Sequence, residues 1–394
     1  MNTPPPKQRL VFIDALRGLA VLLMMEQNMG IWLWKADGPM RFSSHPILFT
    51  INGMGGFAGP LFITLAGISA ALFVQRHSQG DRTLISRGIG IMLFGYLMNF
   101  LAPGFLSMGS WFTLHMIGFG ILLTPLFRRM PISFILLLIG TILFGTGLLH
   151  YYLETPRSLS QYHMTRLDQP GGMFRLMFVE GHYAVFPWLA FYLFGVVTGR
   201  LYLEDNQKQI ITIALVSLSI SAFCLIPEFI TVSFNNHRFW LLFLRLNLGS
   251  FPTPPLFVLL FYPLVAFLFL TFKPLTQQIK VTNRHFLVCL GRISLTLQIV
   301  HVVIFYEIFQ RLRWFRTFST LETLCMVLGV LALTAFLSTR WRKIHYRFSC
   351  EWTLRRITDN RMEGGDVAKA NGQMEDRADG VLSILTVNSQ TGEE

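Results

Sequence analysis

The stretch "RLVFIDALRGLAVLLMMEQNMGIWLW", residues 9–34, decides the fold class. Its centre, Leu19 to Met25, is wholly apolar, and the stretch has the length of one membrane-crossing helix, about 20 residues at about 1.5 Å rise each. Yet Asp14 and Arg17 stand near its start, and Glu26, Gln27 and Asn28 near its end. A charge within the hydrocarbon costs about 3 kcal/mol even on insertion scales, so each of these groups needs a partner, a water-filled cavity or a chemical task.

Similar runs recur along all 394 residues, which are 52% hydrophobic and only 14% charged, with mean hydropathy +0.49. Soluble domains average about 25% charged residues, so a soluble binding protein is excluded. The reading is an all-α polytopic membrane protein, a bundle of about ten transmembrane helices. The expected spans are 11–33, 51–74, 84–102, 110–127, 131–152, 184–202, 209–230, 254–272, 286–309 and 320–339. The first is read as retained, not as a cleaved signal peptide. Residues 1–357 form the membrane domain, and the acidic, aromatic-poor stretch 358–394 reads as a disordered cytoplasmic tail.

The formal charge of +12 is not read as a nucleic-acid signal, because the cations fall in short loops between spans. Lys7 and Arg9, Arg82 and Arg87, Arg128 and Arg129, Arg200 and Lys208, Lys273 to Arg284, and Arg340 to Arg347 share one side. That side is cytoplasmic and holds both termini. Arg311, Arg313 and Arg316 fall on the other side, against the rule. Two outer loops are long, 153–183 and 231–253, the second with Asn235, Asn236, His237 and Arg238. Cys224, Cys289, Cys325 and Cys350 show no metal-ligand spacing and read as buried packing residues, with no metal expected.

Depth sorts the remaining polar groups. Toward the cytoplasm lie Asp14 and Arg17 on one helix face, Arg87 at the start of the third span, and Arg292 well inside the ninth. Asp14 and Arg17 read equally as a helix-end ion pair or as part of an anion pocket, where guanidinium forks suit phosphate. Toward the outside lie Glu26, Asn28, His45, Asn99, His115, His182, Gln298 and His301, drawn from six segments. A lone histidine is often structural, but agreement in depth points to an outward polar cavity equipped for proton transfer.

Five stretches in order resemble the heparan-alpha-glucosaminide N-acetyltransferase family and its bacterial relatives, part of a wider transmembrane acyltransferase group. They are "RLVFIDALRGLAVLLM", "HPILFTINGMGGFAGPLFITLAGISAAL", "WFTLHMIGFGILL", "VFPWLAFYLFGVVTGRLY" and "GRISLTLQIVHVVIF", between residues 9 and 305. The resemblance implies a multi-span enzyme that takes acetyl-CoA from the cytoplasm and passes the acetyl group to an amino sugar on the far side. Its key histidine matches His45, and its first-span asparagine matches Asn28. Gly56 stands where relatives often carry aspartate. On this reading His45 is the general base of a direct transfer, or the carrier of the acetyl group. Glu26 or Asn28 orients the imidazole, and His115 or His301 stabilises the oxyanion. Arg17, Arg87 and Arg292, with Asp14, hold the phosphates, and the pantetheine arm runs between helices. The acceptor is an amino sugar or glycan, the location a bacterial inner membrane, and a homodimer is compatible with the sequence. A transporter or flippase, or a non-catalytic relative, remains the alternative; absence of a visible internal repeat counts against the first.

Overall fold

In lipid every backbone N–H and C=O must be satisfied within the chain, so long apolar runs fold as helices. The computed structural model describes residues 10–36, 41–76, 80–156, 158–160, 162–225 and 251–359, and among them every regular element is helical. In order these are α1 (Val11–Leu33), α2 (Pro46–Gly55), α3 (Ala58–Arg76), α4 (Asp81–Leu101), α5 (Thr113–Phe127) and α6 (Ile132–Tyr152). After short helical turns come α7 (Val185–Leu203), α8 (Gln207–Cys224) and α9 (Pro255–Gln278). Then follow α10 (Phe286–Arg292), α11 (Ser294–His301), α12 (Thr320–Trp341) and α13 (Cys350–Asp359).

Helices occupy all ten regions where spans are expected, but length and composition support fewer. Seven described units pass as spans, with α2 and α3 counted together as Pro46–Gln75, and the bent pair of α10 with the helical run Ser294–Arg311, which α11 begins, makes an eighth. Of the other two, α1 is 23 residues long but carries Asp14, Arg17 and Glu26, and α5 is apolar but only 15 residues long. The second span begins at Pro46, five residues earlier than expected, because proline at the first helical position needs no N–H partner. The ninth is broken: α10 and α11 meet at Ile293 with a 77° bend. Residues 226–250, which include Asn235 to Arg238, and the tail 360–394 lie outside the described residues. Among the cysteines Cys289 is buried, Cys224 and Cys350 are half-buried and Cys325 is exposed. Burial fails for Cys325 because an apolar run in a membrane protein also supplies the lipid-facing surface.

Helix α1 runs through the centre, touching α2, α3, α9, α10, α11 and α12. The largest seams join α3 to α7 and α4 to α5, while α8 and α12 show most of their surface outward. The α1–α10 seam sets the site. There Gly18 lies against the Leu287 backbone and Gly291 against the Asp14 carbonyl, so that an added Cβ on either would collide with main chain. The bundle has an Arg17 end, with Asp81 bonded to Arg128 at 2.6 Å and α13 folded back onto α4 and α11, and an opposite Trp34 end.

Because backbone cannot retreat as a flexible side chain does, Gly291→Val is expected to force α1 and α10 apart. The loss should reach or exceed the roughly 1–3 kcal/mol of ordinary overpacking. Detergent thermal melts should show it as a clearly lowered midpoint, whereas Gly329→Ala, on an open face of α12, should melt like the parent protein.

Candidate functional site

The seam places a carboxylate between two guanidinium groups. Asp14, 2% exposed, lies 3.4 Å from Arg17 through Oδ1 and 3.5 Å from Arg292 through Oδ2. A buried charge is tolerated only when paired, and here one anion serves two cations. Arg17 also donates to Ser69 Oγ on α3, and Arg292 donates to Asn283 Oδ1 at 2.8 Å. The ion-pair reading of Asp14 and Arg17 and the pocket reading are therefore not exclusive, because Arg17 also faces open space.

That space is a cavity of about 240 Å³ between α1, α3, α4, α5, α11 and α13. Its polar wall comes from Arg17, Ser69, Arg87, Ser294, Gln298 and Glu351. Its apolar wall includes Phe62, Phe73, Leu114, Ile117, Ile121 and Leu354. Along α3 it extends from Phe73 to Phe62, about 16 Å of helix at 1.5 Å per residue. The Arg87 guanidinium stacks over Phe73, 4.9 Å from the ring centroid. Arg17 and Arg87 thus face one cavity, as expected of an anion pocket, while Asp14 and Arg292 are not among its lining residues and act behind Arg17.

Sequence reasoning grouped Gln298 with the outer polar residues and not with this wall, and it missed Glu351. Gln298 is 2% exposed, and its Nε2 has no hydrogen-bond partner among the described residues. Glu351 comes from α13, at the edge of the segment read as a tail. Its Oε1 accepts the Leu295 N–H at 2.6 Å, and its Oε2 accepts the Thr296 hydroxyl at 2.7 Å. A helix that restarts after a break exposes N–H groups, and a carboxylate there satisfies them and the helix dipole together. The local signal was the amphipathic run after Ser349, whose Oγ accepts the Trp352 N–H at 3.1 Å and opens α13.

Beyond the cavity, toward the Trp34 end, His301 lies one turn after Gln298. Its Nδ1 lies 2.9 Å from the Leu297 carbonyl and its Nε2 lies 2.9 Å from Asn28 Nδ2. A carbonyl only accepts, so Nδ1 carries the proton and Nε2 accepts from the asparagine amide. In this tautomer Nε2 is an acceptor already engaged by Asn28, so neither ring nitrogen has an uncommitted N–H for the oxyanion role expected of His301. Trp32 stacks on the imidazole at 6.1 Å, and a π-helical stretch, Val302–Ile308, follows at once. His45 sits before α2, half-buried, with Nδ1 2.9 Å from Thr320 Oγ1 and Trp34 edge-on at 5.0 Å. Trp32 and Trp34, two residues apart at the end of the first span, thus each pack against one of the two histidines.

The other outer groups divide. Glu26 is buried against Gly55, where α1 and α2 approach too closely for a Cβ, and neither carboxylate oxygen has a hydrogen-bond partner among the described residues. Its neighbour Gln27, with the amide turned to satisfy both atoms, donates to the Gly55 carbonyl and accepts the Gly56 N–H. His115 caps α5, its Nδ1 accepting the Phe112 N–H at 3.1 Å, and is not among the cavity-lining residues. Asn99 donates to the Ser110 carbonyl at 2.9 Å and ties down the loop before α5.

The segment 153–183 covers the Trp34 end and is organised by one buried acid. Glu180 accepts from Thr155 Oγ1 at 2.8 Å, Arg175 at 2.7 Å and His163 Nε2 at 3.0 Å. Burial pushes the Glu180 carboxyl up, but the hydrogen bonds from Arg175, Thr155 and His163 outweigh it and hold it below its ordinary range.

The family model described as "Heparan-alpha-glucosaminide N-acetyltransferase, catalytic" matches residues 9–231, more than half of the chain. A second, described as "Protein of unknown function (DUF418)", matches residues 198–361. No curated protein gives a significant match. The cavity draws Arg17, Ser69 and Arg87 from the first matched region, and Ser294, Gln298 and Glu351 from the second.

For Glu180 the pH dependence has a definite sign. A carboxyl depressed on folding contributes stability above its unfolded value, ordinarily 4.5, and that contribution is lost as pH falls through the lower folded value. Protease protection of residues 153–183 is expected to hold at neutral pH and to fail in acid below that range. In Glu180→Gln the segment should be cut readily at every pH.

Proposed function

The chain belongs to the heparan-alpha-glucosaminide N-acetyltransferase family, and on that premise we propose that it moves an acetyl group from acetyl-CoA to an amino sugar or glycan across the membrane. In this reading the Arg17 end is cytoplasmic, both chain termini lie there, and the membrane is a bacterial inner membrane. The observation that carries the proposal is the cavity. It has Arg17 and Arg87 at one end, an apolar wall, and Gln298 one turn from the Asn28–His301 pair. A negatively charged nucleotide with a long, weakly polar arm and a reactive tip has that sequence of chemistries.

The division of labour follows from the residues. Arg17 and Arg87 bind phosphate oxygens, and Asp14 with Arg292 fixes Arg17 without neutralising the pocket. The arm lies along Phe62, Leu114 and Ile117. The acceptor approaches from the Trp34 end, past His45. As its amine or hydroxyl attacks the thioester carbon it must lose a proton, and a neutral imidazole suits that near pH 7. His45 is that base, or it takes the acetyl group first and hands it on. Asn28, through Nε2, and Trp32, by stacking, fix the His301 ring. Glu26 supplies a carboxylate beside the α1–α2 contact.

The test follows isotope-labelled acetyl-CoA with purified protein and a panel of amino sugars. His45→Ala should lower transfer by about 10²–10⁴-fold while leaving the melting curve intact. Arg17→Ala should weaken acetyl-CoA binding by about tenfold or more, the worth of one hydrogen bond to a charged group. Label that stays on the wild-type protein and is lost with His45 would identify the covalent route. Full activity in His45→Ala would remove it from the chemistry. Solute flux in proteoliposomes without acetyl-CoA, together with no turnover, would replace the enzyme by a transporter.

A further inference from the structure

We propose that Gln298 is a catalytic residue of this chain, its side-chain N–H donating to the thioester carbonyl oxygen of the bound acyl donor; the assignment rests on the acyl-CoA reading of the cavity. Three observations carry it. Gln298 lines the cavity that Arg17 and Arg87 enter from the other end. It is 2% exposed and its Nε2 has no hydrogen-bond partner among the described residues. It lies three positions before His301 on α11, hence on the same face, about 4.5 Å along the axis.

A buried amide N–H left without an acceptor is costly, and such exceptions call for an explanation. An acceptor brought by the ligand supplies one. His301 cannot be the donor, because its Nδ1–H is held by the Leu297 carbonyl and its Nε2 accepts from Asn28. His115 is not among the lining residues. Gln298 is therefore the cavity's buried amide N–H donor nearest the Asn28–His301 pair. Of the acceptors on an acyl-CoA, the carbonyl farthest from the phosphates is the thioester.

In the transfer the acceptor's lone pair forms a bond to the thioester carbon, and the carbonyl π pair moves onto oxygen. Gln298 stabilises that oxygen as its charge grows. When the intermediate collapses the C=O re-forms, the C–S bond breaks and sulfur leaves with the electron pair. The proton lost by the acceptor passes through the base and ends on the CoA sulfur. A donor fixed in a dry site is strongest where charge develops, so its loss should fall mainly on kcat.

The experiment uses the full chain in detergent, with CoA and with acetyl-CoA carrying ¹³C at the thioester carbonyl. Wild type should bind acetyl-CoA more tightly than CoA and show a carbonyl stretch lowered by hydrogen bonding. Gln298→Met, of similar length, should keep CoA affinity, lose the preference for acetyl-CoA, return the stretch to its solution position and lower kcat by about 10²–10³-fold. Equal loss of CoA and acetyl-CoA affinity, or an unmoved stretch, would overturn the assignment and leave the enzyme reading standing. Failure of wild type to bind either compound would overturn both. Gln298→Glu guards against misfolding of the methionine variant. Its carboxyl donates only when protonated, so its kcat should rise as pH falls, which a packing role would not produce.

Discussion

The salt link of Asp14 to Arg17 and Arg292 is the constraint on which the site rests. It forms because two glycines, Gly18 and Gly291, let α1 and α10 meet backbone to backbone. Removing the carboxylate would leave two cations with reduced compensation, a change that costs about 3–5 kcal/mol in buried pairs. The link also has a direction. It anchors Arg292 as the last residue of α10, so that the chain breaks at Ile293 and restarts as α11 at a new angle. The face of α11 that carries Gln298 and His301 is set by that break.

A broken span in lipid exposes N–H groups that water cannot satisfy. Glu351 meets this need from α13, and Thr296 completes the joint by donating to Glu351 while accepting the Cys350 N–H at 2.8 Å. The final described helix is therefore part of the site's frame, and its Leu354 closes the cavity beside Gly90. The same geometry bears on transfer against transport. The cavity is lined by Arg17, Arg87 and Gln298, and the Asn28–His301 pair, backed by Trp32, is not among its lining residues. On the acyl-transfer proposal an acyl group needs only to reach this pair, whereas a transported solute would have to pass it.

Much of the fold was legible because lipid allows little else: an apolar run of sufficient length becomes a helix, and cations between runs mark one end. The depth of Arg292 was legible for the same reason, since a cation that far into a run needs a partner. Other features had no local signal. Asn28 and His301 are 273 residues apart, and no spacing announces their contact. The 77° bend falls at Ile293 in a run that contains no proline to announce it. The tautomer that makes His301 an acceptor depends on the Leu297 carbonyl one turn back, which helix geometry offers to every such histidine but which only the rotamer selects. The start of α2 was readable in principle, since His45-Pro46 is a helix-opening pair, but hydropathy alone places the apolar edge five residues later.

Gly56 shows why a departure at one position is weak evidence about chemistry. The resemblance places an aspartate there, and its absence argues for a relative without activity. In the folded chain a carboxylate still reaches this junction, from the facing helix. Glu26 of α1 lies against Gly55, and Gln27 holds the Gly55 carbonyl and Gly56 N–H that the break between α2 and α3 leaves exposed. The missing side chain at Gly55 is what lets α1 come close enough for this, whereas a Cβ at 56 would meet only ordinary contacts. A side chain at 56 would meet Gln27 at ordinary contact distance, so an aspartate there would bring a second acid to a junction where Glu26 already lies buried without a hydrogen-bond partner among the described residues.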